Sequence, residues 1–374
     1  MKAVIPALVS SSTASVATKK RTQLMNNSKA ESNFVFRASA NLFPGYFALV
    51  MATGIVSIAC YLLEMRTLAF TLLAVNTIAF VLLSLLLLIR LLLFFGRVKE
   101  DINNHMRGPG FFTVVAGTSV LGSQLLIVGN QARIASVLWL LALLLWAVIM
   151  YTFFAAMTVH ENKPSIESGL NGAWLLVVVA TQSISVLGTL LVGEYAGYRE
   201  PLLFFTLCMF LLGCMLYIPL ITLIFYRFTF VNVTTASLTP PYWINMGAVA
   251  ITTLAGARLI IAAPEWTMLD EALPFLKGFT LFFWAAGTWW IPLLFILGFW
   301  RHVYRRFPLR YDPQYWGMVF PFGMYTVCTF QLSKALNFPP LMVIPRYFIY
   351  LALAGWFIVS LGLVHSFVVK KPVA

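Results

Sequence analysis

The chain has 374 residues, 61% of them hydrophobic and 10% charged, with a formal net charge of +13 and an isoelectric point near 9.7. A soluble chain carries about a quarter of its residues charged, and 25 basic with 12 acidic residues gathered between apolar runs cannot cover a water-facing surface. Composition therefore excludes a water-soluble globule and points to an all-α integral membrane protein.

In chain order, residues 1–40 read as a polar, disordered cytoplasmic tail rich in Ser, Thr, Asn and Lys. Ala3 to Val9 is a weak signal-peptide core because Pro6 interrupts it. Ten apolar runs long enough to span a bilayer follow, near 42–63, 68–92, 109–129, 135–158, 170–192, 201–226, 241–261, 272–298, 314–336 and 342–368. They make 41–368 a single transmembrane domain and leave 369–374 as a short cytoplasmic end. An even number of crossings puts both termini on one side. With the N-terminus inside, eighteen Lys and Arg fall on the cytoplasmic face and seven outside, while the carboxylates divide six and six. That bias predicts cytoplasmic termini in a plasma or bacterial inner membrane. The high isoelectric point is then topology, and nucleic acid is not expected as a partner.

Two helix starts repeat. Pro44-Gly45-Tyr46-Phe47 leads to Val50 and Thr53-Gly54, and Pro109-Gly110-Phe111-Phe112 leads to Val115 and Thr118-Ser119, 65 residues on. Pro164 before the fifth helix, Pro240-Pro241 at the seventh and Pro313 before the ninth extend the pattern. The repeat suggests two-helix hairpins of one orientation arranged about an axis along the membrane normal. Polar and small residues favour the odd helices as the lining of a central path: Thr53, Gly54 and Ser57; Thr118, Ser119 and Gly122; Thr181, Gln182 and Ser185; Asn245, Gly247 and Thr252; Gly323 and Thr326. The second helix is greasy from Leu85 to Ile89, as suits a lipid-facing surface.

The acidic residues and the four histidines all fall in loops or at helix ends, so no proton relay is visible. No carboxylate ring or carbonyl filter suggests a cation path, whereas hydroxyls, amides and a basic approach suit anions. Arg301, Arg305, Arg306 and Arg310 form the densest basic loop, and Arg258 stands near the outer mouth. The isolated cysteines Cys60, Cys208, Cys214 and Cys328 read as packed thiols. No catalytic, metal or cofactor motif is present, so neither an enzyme nor a cofactor is expected.

Phe43-Pro44-Gly45-Tyr46-Phe47 with Met51-Ala52-Thr53-Gly54, Gly108-Pro109-Gly110-Phe111-Phe112, and Trp316-Gly317-Met318-Val319-Phe320-Pro321 resemble the tellurite-resistance and C4-dicarboxylate transporter family. That family, also described as the voltage-dependent anion channel and malic acid transport family, includes the plant slow-type anion channels and fungal malate and sulfite transporters. The resemblance covers about 40 to 368. It implies ten helices as five hairpins in a quasi-fivefold arrangement around a central pore, odd helices inside, commonly in a homotrimer. It also implies an aromatic gate on the ninth helix, best matched by Phe320 before Pro321, with Phe322 competing. The implied function is passage of small anions such as chloride, nitrate, sulfite or dicarboxylates. The alternative is a proton-coupled or exchange transporter of C4-dicarboxylates or sulfite on the same scaffold. The short tails depart from the kinase-regulated plant members and look more like a microbial member.

Overall fold

Proline supplies no amide hydrogen and fixes its own φ, so a Pro- or Gly-led segment enters a helix through a tight first turn. In a computed structural model, which describes residues 34–369, this device recurs ahead of every odd-numbered helix. Three-ten turns at Pro44–Phe47, Gly108–Phe111, Gly172–Leu175, Pro240–Trp243 and Pro313–Tyr315 lead into α1 (Ala48–Leu62), α3 (Phe112–Ile127), α5 (Leu176–Leu191), α7 (Ile244–Ala262) and α9 (Trp316–Ala335). Between them run α2 (Arg66–Leu93), α4 (Ala132–Val159), α6 (Arg199–Phe230), α8 (Leu273–Phe299) and α10 (Val343–Val369). No strand occurs among the described residues.

The fifth start is not led by Pro164. That proline precedes a short helix, Ile166–Gly169, and the turn is opened by Asn171, whose side chain accepts the Ala173 N–H at 2.9 Å. At the ninth start Asp312 caps Gln314 N–H in the same way, at 2.8 Å. Two hairpins reverse in a common manner at their far ends. Glu64 and Asn337 take left-handed backbone, and the following N–H groups of Met65 and Phe338 bond back to the Cys60 and Ser333 carbonyls. That is the Schellman pattern that satisfies terminal carbonyls.

The described residues fall into two units. In one, the helix Phe34–Ala40 accompanies residues 84–99, and Arg97 donates to the Asn41 side chain at 3.1 Å. Residues 1–33, most of the expected polar tail, and 370–374 lie outside the described residues.

In the other unit, 43–83 with 100–369, burial divides the helices into two classes. The spans containing α1, α3, α5 and α7 are 83% to 94% buried, while those of the even helices are 17% to 39% buried. Along α9 all residues are buried except Met318, Lys334 and Ala335. The inner helices pack in a closed cycle, α1 on α3, α3 on α5, α5 on α7, α7 on α9 and α9 back on α1. Their three-ten turns touch in the same cyclic order. Close approach there demands glycine: a Cβ on Gly172 would stand 2.2 Å from the Pro241 carbonyl oxygen, and one on Gly110 would stand 2.7 Å from Gly45 N. Each outer helix bonds to the inner helix that follows its own hairpin partner in four of the five cases. The bonds are Asn76 to Gln124 at 2.7 Å, and Trp146 to Thr181, Trp284 to Thr329 and Trp356 to Thr53 at 3.0 Å each.

Among the described residues nine helices are long and apolar enough to cross a membrane, against ten expected. The difference is α9, a 20-residue helix whose composition is diluted by Pro321, Tyr325, three Thr and Ser residues and Gln331.

Candidate functional site

Two cavities lie among the inner helices, each lined by residues of all five or of their leading turns. The turn-side cavity is bounded by Ala48 and Met51 of α1, Thr113 of α3, Leu176 of α5, Ile244 of α7, and Gly317 and Phe320 of α9, among others. The far cavity is lined in rows spaced i, i+3 and i+7 along the helices: Val120, Ser123 and Ile127; Ser183, Val186 and Leu190; Ile251, Leu254 and Arg258; Met324, Val327 and Gln331, with Ile55 and Ile58 from α1. That spacing is one face of an α-helix. Each cavity measures about 30 Å3, room for one or two waters. Met51 and Phe320 line the turn-side cavity, and the far cavity is lined from one turn further along the same helices, at Ile55 and Met324.

Phe320 is 1% exposed. Gly247 of α7 makes its place, since a Cβ there would stand 2.8 Å from Pro321 Cγ and 3.5 Å from Phe320 Cδ1. Phe322 points elsewhere. Its ring meets Trp243, Phe295 and Phe348, at centroid distances of 5.1, 6.0 and 6.0 Å, and it lines neither cavity.

Of the polar residues expected along the path, Ser119 lines the far cavity, and its hydroxyl has no protein partner. The others line neither chamber and make helix contacts. Thr53 and Thr181 accept indole N–H groups from α10 and α4. Ser57 and Ser185 donate to the Ala69 and Thr206 carbonyls at 2.7 Å. Thr118, Thr252 and Thr326 bond to carbonyls one turn back. Gly54, Gly122 and Gly323 admit neighbours: a Cβ at these positions would meet Val120 at 2.7 Å, Leu187 at 2.5 Å and Ile55 at 2.8 Å. Asn245 is buried with both amide atoms unpartnered. The residues not anticipated are those of the i, i+3, i+7 rows other than Arg258, with Ser123, Ser183 and Gln331 among them.

The basic residues divide. Arg258 reaches the far cavity, its Nε buried and without a partner, and none of the residues lining either cavity is acidic. Arg305, Arg306 and Arg310 are exposed on the loop that follows α8, whereas Arg301 turns inward.

A helical chain with greasy outer helices and small chambers enclosed by buried inner ones defines an integral membrane protein. Residues 41–364 match the profile described as voltage-dependent anion channel, and the chain belongs to that family. It is also similar to an uncharacterized membrane protein of Mycobacterium tuberculosis, 39% identical over 151 residues covering 40% of this chain and 76% of the relative. Two uncharacterized transporters of Methanocaldococcus jannaschii are 22% and 21% identical over 304 residues, 80% of this chain and 85% and 86% of theirs. Anion transport across a membrane is the activity this membership carries.

Proposed function

We propose that small anions pass through the middle of the five inner helices, arranged quasi-fivefold as a bore, and that Phe320 closes it. The observation that carries this reading is Arg258. Its guanidinium stands in a chamber bounded by all five inner helices, with the Ser119 hydroxyl unpartnered and no acid in the lining. An isolated positive charge in an apolar chamber is costly unless an anion neutralises it. A bore of this kind admits anions and repels cations.

Phe320 supplies the barrier. A phenyl ring filling the gap between two chambers that hold one or two waters each blocks a hydrated ion sterically and leaves no continuous water column. Pro321, beside it, removes one backbone bond and gives the helix freedom to bend there. On this reading α9 is a tenth crossing and both termini are cytoplasmic, so the turn-side chamber faces the cytoplasm of a plasma or bacterial inner membrane. The exposed apolar faces of the even helices are covered by lipid and by two further copies in a homotrimer, which native mass measurement of the detergent-solubilised protein tests.

The deciding experiment is anion flux in proteoliposomes with and without a proton gradient. Phe320→Ala is expected to raise passive chloride flux at least tenfold, and Arg258→Gln to lower it in that background. Unchanged flux in Phe320→Ala overturns the gate. Uphill dicarboxylate accumulation driven by the gradient replaces passive passage with the coupled-transport reading.

A further inference from the structure

Outside the bore, a third cavity of about 140 Å3 lies where α7 and α9 begin and α8 ends, lined by Thr239, Tyr242, Arg301, His302 and Tyr315 with a leucine rim. We propose that it is a binding site for a small oxyanion, a phosphate or a group of like shape and charge, held by the Arg301 guanidinium, the Tyr242 phenol and the Thr239 hydroxyl.

Three of the lining residues carry a buried polar atom that has no partner in the protein: Arg301 Nε, Tyr242 OH and Thr239 Oγ1. Arg301 and Tyr242 are 8% and 3% exposed. Unpaired buried donors are costly and uncommon, and three in one chamber mark a place for an acceptor. The fold turns Arg301 inward by a π-type turn, Trp300–Tyr304, in which Arg305 N–H bonds to the Trp300 carbonyl at 2.9 Å. Phe307 N–H then closes on the Arg301 carbonyl at 3.0 Å, which brings the Phe307 ring to 4.3 Å from the guanidinium. Such π turns recur at functional sites. Among the described residues Arg301 has no ion-pair partner in contact; Tyr315 and Asp312 act on it through space, and Asp312 Oδ1 also caps Gln314 N–H. A second guanidinium, Arg227, lies 5.6 Å from the Tyr242 ring and donates to the Glu167 carbonyl at 2.7 Å, adding positive field.

The volume has room for several waters, which suits a tetrahedral oxyanion and its remaining hydration. Planar guanidinium and hydroxyl donors are the usual cradle for such a group. Inorganic phosphate and a phospholipid headgroup share this chemistry.

The test is thermal unfolding of the full chain in phosphate-free detergent at constant ionic strength, titrated with inorganic phosphate, with chloride, or with phosphatidic acid in the micelle. Phosphate is expected to raise the midpoint saturably where chloride does not. Tyr242→Phe, which keeps the ring on Phe228 at 4.7 Å, is expected to weaken apparent affinity about tenfold, the loss of one charge-assisted hydrogen bond. Arg301→Gln is expected to abolish the shift and Arg258→Gln to leave it intact. A shift with phosphatidic acid alone, lost in the same variants, assigns the site to a headgroup. No shift with either phosphate source, or equal shifts in wild type and Tyr242→Phe, overturns the proposal. Because binding is read in detergent, it stands or falls separately from anion passage.

Discussion

Phe320 and Phe322 are two residues apart on α9 and therefore face opposite sides of one helix. Phe320 borders the turn-side chamber, and Phe322 is wedged among Trp243, Phe295 and Phe348. The two substitutions should thus separate transport from stability. Phe322→Ala removes a packed ring and is expected to cost about 3 kcal/mol, the lower range for buried phenylalanine truncation, with a fall in the unfolding midpoint and little gain in flux. Phe320→Ala empties space at a chamber wall and is expected to raise flux with a smaller loss of midpoint. If Phe322→Ala accelerates anions as much as Phe320→Ala, the assignment of the barrier fails. Gly247 gives an independent handle. Its built Cβ stands 2.8 Å from Pro321 Cγ and 3.5 Å from Phe320 Cδ1, so Gly247→Ala must shift α7 and the Phe320-Pro321 segment apart while the Phe320 side chain itself is kept.

At the level of elements, the ring of three-ten turns depends on backbone approach. A Cβ on Gly172 would sit 2.2 Å from the Pro241 oxygen and 2.6 Å from Tyr242 Cα, contacts that no side-chain rotation relieves. Gly172→Ala is expected to lower the unfolding midpoint sharply, whereas Gly193→Ala, with nothing within 4 Å of its Cβ, leaves it unchanged within error. A second element-scale effect concerns the segment between the helix Phe95–Ile102 and the second turn, where the His105 ring lies 6.0 Å from both His160 and Trp174. Burial, and then the charges of His160 and Lys163, hold the His105 pKa below its usual value. The unfolded chain therefore takes up this proton first as pH falls through about 6.5, so His105 opposes folding increasingly below that pH. The unfolding midpoint is expected to fall between about pH 7.5 and about 5.5, and His105→Asn to flatten part of that slope.

Helix existence was legible in the sequence because runs of about twenty apolar residues have few alternatives, and the expected edges of the ten segments lie within about six residues of those formed. The repeat at Pro44 and Pro109 was legible because turn chemistry is local. Which face of an inner helix looks inward was not. Helices such as α7 and α9 are buried on all sides, so apolar residues recur around their whole circumference and give no phase. Choosing polar residues instead selected Thr53, Ser57, Thr181 and Ser185, whose hydroxyls tie inner helices to outer ones. In a lipid-solvated fold a hydroxyl is as useful at a helix seam as beside water.

For the molecule as a whole, the decisive quantity in the proposed passage is the charge balance of the mostly apolar far chamber. Ile55, Ile58, Val120, Val186, Leu190, Ile251 and Leu254 wall the far chamber, and Arg258 is the cation among its lining residues. One guanidinium neutralises one negative charge. A monovalent anion beside Arg258 forms a neutral pair, whereas a dianion such as malate leaves a second charge among aliphatic side chains, where desolvation costs several kcal/mol. In Phe320→Ala proteoliposomes, chloride and nitrate are therefore expected to permeate at least tenfold faster than malate at neutral pH. Lowering the pH toward the second malate pKa should narrow the gap by producing the monoanion. Arg258→Gln in the same background should reduce chloride and nitrate flux, and malate flux at least as steeply, because both malate charges then lie uncompensated. Faster malate than chloride passage, insensitive to Arg258→Gln, would mean that the charge in this chamber does not select the anion.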